Sequence, residues 1–341
     1  MIRIPSSRSI RSIRRLISAV LFSLLLSVSV ILFLSGSISC DKDIIRYAEF
    51  NPSYSALKKA MEIDIESFGT DHHLSWTDSL AYISARCYDD YSRYSEKDLS
   101  TLYSRIKSGE KMDRICSGLK NFNYYHEVYS AVLGGLLGEY EYTAEDNTVK
   151  KKYGLKAYLP IAEGFAYSEY DDFGASRSYG FKRRHLGHDM ICETGTPVIC
   201  IEDGTVECMG WNQYGGWRIG IRSRDKKRYY YYAHLRKNRP YHCDLSVGKN
   251  VSAGDVIGYA GRTGYSAEEN VNNIETPHLH WGLELIFDES QKECDNEIWV
   301  DLYAVTRLLS SHRADVIRDP ETKEFYHADA SVQGAGKGLS G

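Results

Sequence analysis

The sequence predicts an α+β protein behind an N-terminal membrane anchor: a small helical domain over residues 41–142, then a mainly antiparallel β domain over 153–310. Three observations carry this prediction. An uncharged apolar run follows an arginine-rich tip. Apolar residues then recur at helical spacing between residues 45 and 141. Beyond residue 152 the pattern changes to short alternating runs broken by glycine and turn pairs.

The anchor comes first in the chain. Residues 1–15 carry Arg3, Arg8, Arg11, Arg14 and Arg15 and no acid, and residues 16–40 carry no charge. The core LISAVLFSLLLSVSVILFL is close to the roughly 20 apolar residues that span a bilayer. A cleaved signal has a shorter apolar stretch of about 7–15 residues. The span therefore reads as an uncleaved signal anchor over residues 1–40. Its arginines place the tip in the cytoplasm and the rest outside. A signal-peptidase cut after Ser37 or Ser39, or a lipidated Cys40, are the two alternatives, and both also export the chain. Export permits disulfides among the eight cysteines. No CxxC pair occurs, which argues against a zinc ribbon.

Composition limits the function classes. Apolar residues are 43% and charged residues 26%, ordinary for a globular protein. A mean hydropathy of -0.41 excludes a multi-span membrane protein. Lys+Arg 42 against Asp+Glu 46 leaves a net charge of -4, so no basic footprint for nucleic acid is present. Tyrosine is abundant, at 27 copies against 10 phenylalanines, and suits half-buried surfaces or sugar or peptide grooves.

Helix starts are marked by serines. Ser53 precedes LKKAMEIDIESF. Ser75-x-x-Asp78 and Ser95-x-x-Asp98 resemble capping boxes. Gly109 sits where a C-cap would, and a last helix runs through Tyr125, Val128, Val132 and Leu136 towards Gly138. Four or five helices are expected, serving as a protein-partner or wall-binding module, or as a spacer. His72, His73 and His126 read as solvated surface histidines. The polar stretch 143–152 reads as a linker, and 311–341 as a loose C-terminal tail.

In the β region, TPVICIEDGTVECMGW suggests a hairpin around Asp203-Gly204, and WRIGIRSRDKKRYYYYAHL another around Arg224-Asp225. Three segments hold the candidate chemistry: HLGHD (185–189), YAHL (232–235) and HLH (278–280). In a strand His278 and His280 face the same way, about 6.5 Å apart. One imidazole can bind a metal while the other reaches a group beside it. His185 and Asp189 would lie about 13 Å apart if extended. The chain must bend between them to share an ion, and Gly187 allows that cheaply. Three protein ligands leave the fourth zinc position open, the layout of a catalytic site. His188 should face away from Asp189. Tyr230 and Tyr232 should share a face with His234 and line a substrate groove, with Tyr229 and Tyr231 on the other face.

Together HLGHD, TGTPVICIEDGTV, YYAHL, VGKNVSAGDVIGYAGRTG and PHLHWGLEL resemble the lysostaphin-type (LytM-like) zinc endopeptidases of peptidoglycan, over residues 155–287. The resemblance implies folded antiparallel sheets with a groove over the main sheet. It implies that His185, Asp189 and His280 hold one Zn2+, and that His234 and His278 act on the water and the scissile carbonyl. The expected partner is then peptidoglycan, with a membrane contact through the anchor. The alternative is a non-catalytic scaffold or regulator of another wall hydrolase or of an envelope-spanning assembly. One departure stands out: AEENVNNIET (267–276) lengthens the link before Pro277, and a longer rim loop would reshape substrate choice.

Overall fold

Serine hydroxyls set the helix starts. In the computed structural model, which describes residues 45–144, 146, 148–179, 181–292 and 296–328, Ser53 accepts the Ala56 N–H and opens α1 (Tyr54–Ser67). Ser75 accepts the Asp78 N–H and opens α2 (Trp76–Cys87). Ser95 and Asp98 close a capping box at α3 (Glu96–Lys107), which ends before Gly109 at φ 92. Then come α4 (Met112–Cys116) and α5 (Phe122–Leu133). The last helix stops three residues earlier than its apolar spacing suggests. Leu136 instead gives its carbonyl to Lys156, at 3.0 Å, where a β-hairpin begins.

Leu57, Ala60 and Ile63 of α1, Leu80 and Ile83 of α2, and Val128 and Val132 of α5 form the helical core. A buried carboxylate organises its edge. Asp64 accepts the first N–H of α2, from Trp76 at 2.8 Å, and lies 2.7 Å from His73 Nε2. His126 lies 3.3 Å from Asp78, so both histidines pair with acids, His73 with one that is buried. No helix among the described residues is long and apolar enough to cross a membrane, and the expected anchor lies outside the described residues.

The expected linker is not one. Residues 143–152 lie in a hairpin of β1 (Leu137–Thr143) and β2 (Val149–Leu155), with Tyr140 opposite Lys152 and Glu141 opposite Lys151. Both faces of most of β2 meet water, so no apolar alternation announces the strand. Cross-strand Tyr–Lys and Glu–Lys pairs take its place.

The strands that follow are β3 (Tyr167–Glu169), β4 (Ser176–Tyr179), β5 (Phe181–Arg184), β6 (His188–Cys192), β7 (Pro197–Ile199), β8 (Gly204–Asn212), β9 (Gly216–Ser223), β10 (Arg228–Ala233), β11 (Asn250–Val251), β12 (Val256–Tyr259), β13 (His278–Leu285) and β14 (Ile298–Trp299). The main sheet is antiparallel, in the order β11-β8-β9-β10-β13-β6-β3, with β14 on β13. β4 and β5 form a separate hairpin that leads into the site. The hairpin expected around Arg224-Asp225 forms between β9 and β10. The one expected around Asp203-Gly204 does not, because β7 pairs with β12 while β8 pairs with β9 and β11. The Cys200 N–H is held by the Asp255 carbonyl at 2.8 Å, which carries the chain from one sheet to the other.

The expected tail is also partly folded. After α6 (Tyr303–Leu309), β15 (Val316–Arg318) pairs with β16 (Phe325–His327). Ala314, Val316 and Phe325 complete an apolar cluster with Ile199, Val256 and Tyr259, which is what holds the hairpin down. Residues 329–341 lie outside the described residues.

Helices and sheet share one compact unit that begins at Arg46. Arg228 joins them. It is buried, grips Glu202 with two hydrogen bonds at 2.8 and 3.0 Å, and donates to the Ala131 carbonyl of α5 at 2.6 Å. The six described cysteines at 87, 116, 192, 200, 208 and 243 are free thiols.

Candidate metal centre and its cleft

Strand register makes the centre. β13 and β6 pair so that His280 stands directly opposite Asp189, and β10 places Ala233 on the other side of His280. His185 precedes β6 in a turn. Its Nε2 lies 3.1 Å from Asp189 Oδ1 and 3.0 Å from His280 Nδ1, and His280 Nδ1 lies 2.8 Å from Asp189 Oδ1. Gly187 makes room for this, though not by an unusual backbone angle, since it is absent from the positive-φ glycines. A Cβ there would stand 2.5 Å from His280 Cε1 and 2.8 Å from the Trp281 carbonyl. The glycine lets the turn pass against the imidazole.

The donor set fits one cation. His185 Nδ1 hydrogen-bonds the Asp172 backbone carbonyl at 3.4 Å, with the Asp172 carboxylate 3.1 Å away, so the ring proton belongs on Nδ1 and the Nε2 lone pair faces the triangle. Arg177 takes the second oxygen of Asp189 at 3.1 Å and also pairs with Asp172. Lone pairs that face one another this closely need a positive charge between them. Tetrahedral ligands about 2.0–2.1 Å from one ion stand about 3.3 Å apart, near the spacing here. Burial, then His278 and His280, push the His234 imidazole well below its ordinary value.

His234 and His278 flank the triangle, their ring centroids 4.8 Å apart. Each anchors one nitrogen on a backbone carbonyl: His234 Nδ1 donates to Thr263 O at 2.9 Å, and His278 Nδ1 to Thr276 O at 2.8 Å. In the neutral form each ring therefore carries its lone pair on Nε2, and His278 Nε2 lies 3.8 Å from Asp189 Oδ1. His188 faces away, buried, with Nε2 3.0 Å from Glu169.

A cleft of about 470 Å³ opens over the centre, lined among others by Arg183, Tyr214, Tyr229, Tyr231 and Tyr265. Tyr230 and Tyr232 are not part of it. They are 2% and 0% exposed, with Tyr230 donating to Glu202 and Tyr232 accepting the Ile201 N–H. The expected alternation fails because β10 ends at Ala233 and His234 adopts φ 59. That left-handed residue swings its ring to the side of Tyr229 and Tyr231. The sequence also gave no sign of Asp172, Arg177 or the two anchoring carbonyls. A second group of donors, His242, Cys243 and Asp244, is three consecutive residues, and His242 Nδ1 already accepts the Asp244 N–H.

The centre's surroundings match a known family over residues 183–293, described as peptidase family M23. The chain carries an M23 peptidase domain. Over 125 residues it is 38% identical to the L-Ala–D-Glu endopeptidase of Bacillus subtilis (strain 168), covering 37% of this chain and 36% of that protein. Over 98 residues it is 38% identical to lysostaphin of Staphylococcus staphylolyticus, covering 28% and 18%. The chain thus spans little more than a third, at most, of these two relatives. A crystal structure from Ruminococcus gnavus ATCC 29149, described provisionally as a glycyl-glycine endopeptidase lytM, aligns at TM-score 0.54 and 25% identity. It covers 77% of this chain and 89% of its own, so the likeness extends beyond the M23 domain.

Proposed function

We propose that this chain is a zinc-dependent endopeptidase, with one Zn2+ per chain, that hydrolyses peptide bonds in peptidoglycan stem peptides or cross-bridges. The convergence of His185 Nε2, Asp189 Oδ1 and His280 Nδ1 in the M23 domain carries the reading. The names of the relatives, an L-Ala–D-Glu endopeptidase among them, favour a wall peptide as substrate. His185, Asp189 and His280 hold the ion. Bound zinc polarises the scissile carbonyl and lowers the pKa of a water towards 7. His234 and His278 present Nε2 lone pairs, each fixed by a backbone carbonyl behind the ring. Either nitrogen can take a proton from the attacking water. Once protonated, it donates to the oxygen on which negative charge develops.

The test is zinc analysis and digestion of purified cell wall with the full-length protein. Wild type is expected to hold one zinc and release wall peptides. His280→Ala should lose stoichiometric zinc. His234→Ala and His278→Ala should keep it and lose at least about 10²-fold in turnover. A His280→Ala protein with one tight zinc would overturn the ligand set. Histidine variants with zinc intact and cleavage unchanged would move the chemistry elsewhere.

We also propose a single-pass cell-membrane protein with the M23 domain outside, on the arginine tip and the uncharged run of residues 16–40. Proteinase added to intact, wall-stripped cells should degrade that domain. Full protection behind a sealed membrane would reverse the orientation.

A further inference from the structure

Four arginines line the cleft: Arg177, Arg183, Arg184 and Arg218. Arg177 is committed to Asp172 and Asp189. Arg183 differs. Among the described residues it forms no ion pair, and its Nε is buried without a hydrogen-bond partner. Its guanidinium lies 5.5 Å from the centroid of the Tyr214 ring and 5.1 Å from that of Tyr265, and it donates to the Tyr265 hydroxyl. Two rings thus hold a planar cation in place at the wall of the cleft.

The clamp is itself held. Tyr265 sits at φ 48, its N–H on the Tyr214 carbonyl at 3.3 Å and its carbonyl receiving Asn273 Nδ2 at 2.7 Å. Asn273 belongs to the long 267–276 loop. In the same loop Asn270 accepts from Trp217 Nε1 and from the Asn238 N–H, so the loop is fastened to the rim rather than loose. The Tyr265 ring lies 5.8 Å from that of His234. Arg183 is therefore one aromatic ring away from a histidine of the centre.

We infer that Arg183, clamped by Tyr214 and Tyr265, is a carboxylate-binding subsite that selects peptides bearing a free carboxylate on a residue adjoining the scissile bond. This rests on the endopeptidase reading. A pre-placed guanidinium that lacks an ionic partner matches a carboxylate and loses little freedom on binding it. The interior of an all-glycine bridge offers no such group. The carboxylate can come from two sources: a branch acid, as on a glutamyl residue joined through its side chain, or the chain end of the peptide.

Matched synthetic peptides separate these sources. One pair carries the branch acid or its carboxamide, a second pair the terminal acid or its amide, and an oligoglycine completes the set. Affinity for the zinc-loaded full-length protein is read by titration calorimetry, and kcat/KM by mass spectrometry. Wild type is expected to favour one acid over its amide by about 10- to 100-fold, the worth of a charge-assisted hydrogen bond. Arg183→Gln should bring that ratio to within about twofold of one, and Arg183→Lys should keep part of it. Equal affinity for acid and amide in both pairs, or an unchanged ratio in Arg183→Gln, overturns the subsite. Acid-selective binding through Arg183 without any cleavage keeps the subsite and refutes the endopeptidase reading instead.

Discussion

Removing Asp172 tests whether the centre depends on residues that no metal ligand motif contains. Asp172 Oδ1 stands 3.1 Å from His185 Nδ1, and its other oxygen meets Arg177, which holds Asp189 at 3.1 Å. One carboxylate thus orients two of the three donors, His185 directly and Asp189 through Arg177. Asp172→Ala removes the carboxylate beside the His185 ring, though not the backbone carbonyl that accepts from it, and leaves Arg177 paired with Asp189 alone. Loss of such a supporting carboxylate typically weakens a metal 10–100-fold, about 1.4–2.7 kcal/mol at 1.36 kcal/mol per decade. Asp172→Asn keeps a polar oxygen beside the ring and beside Arg177 and loses the charge, so its effect should be several-fold smaller. Competition against a chromogenic chelator, at fixed pH, measures both. Zinc affinity in Asp172→Ala equal to wild type would show that the three donors are positioned without this carboxylate.

Two further outcomes follow from packing. Gly187→Ala puts a Cβ 2.5 Å from His280 Cε1 and should displace that ring, lowering zinc affinity while far-UV circular dichroism stays native; unchanged affinity would mean the turn can shift freely. Glu202→Ala leaves Arg228, 1% exposed, without its bidentate partner, and should cost about 3 kcal/mol in a denaturant melt. A loss under about 1 kcal/mol would mean that Asp225 and the Ala131 carbonyl suffice to satisfy Arg228.

Chain order and helix starts were legible because local chemistry fixes them. Ser75 and Ser95 cap whatever the rest of the chain does, and the β9–β10 hairpin closes over its own Ser223–Asp225 turn. The β1–β2 ribbon was not legible, since it stands in water on most of both faces and needs no apolar alternation. The folded part of the C-terminal segment was missed for the opposite reason: Ala314 and Phe325 are too few to make a pattern, yet they fill a cluster whose other members come from three distant segments.

The candidate site shows why alternation alone misplaces side chains. His185 lies three residues before β6 begins, His234 just beyond the end of β10, and His278 is the first residue of β13. A rule that assigns faces by odd and even number holds only inside a strand. At His234 one residue at φ 59 reverses it, so the ring joins Tyr229 and Tyr231 at the cleft while Tyr230 and Tyr232 face the core. Within β6 and β13 the rule works, so Asp189 and His280 face the centre while His188 and Trp281, the next pair in register, face away. Chemistry collects at strand ends because the chain can turn there and aim several side chains at one point. The same freedom removes the periodicity from which a face is read.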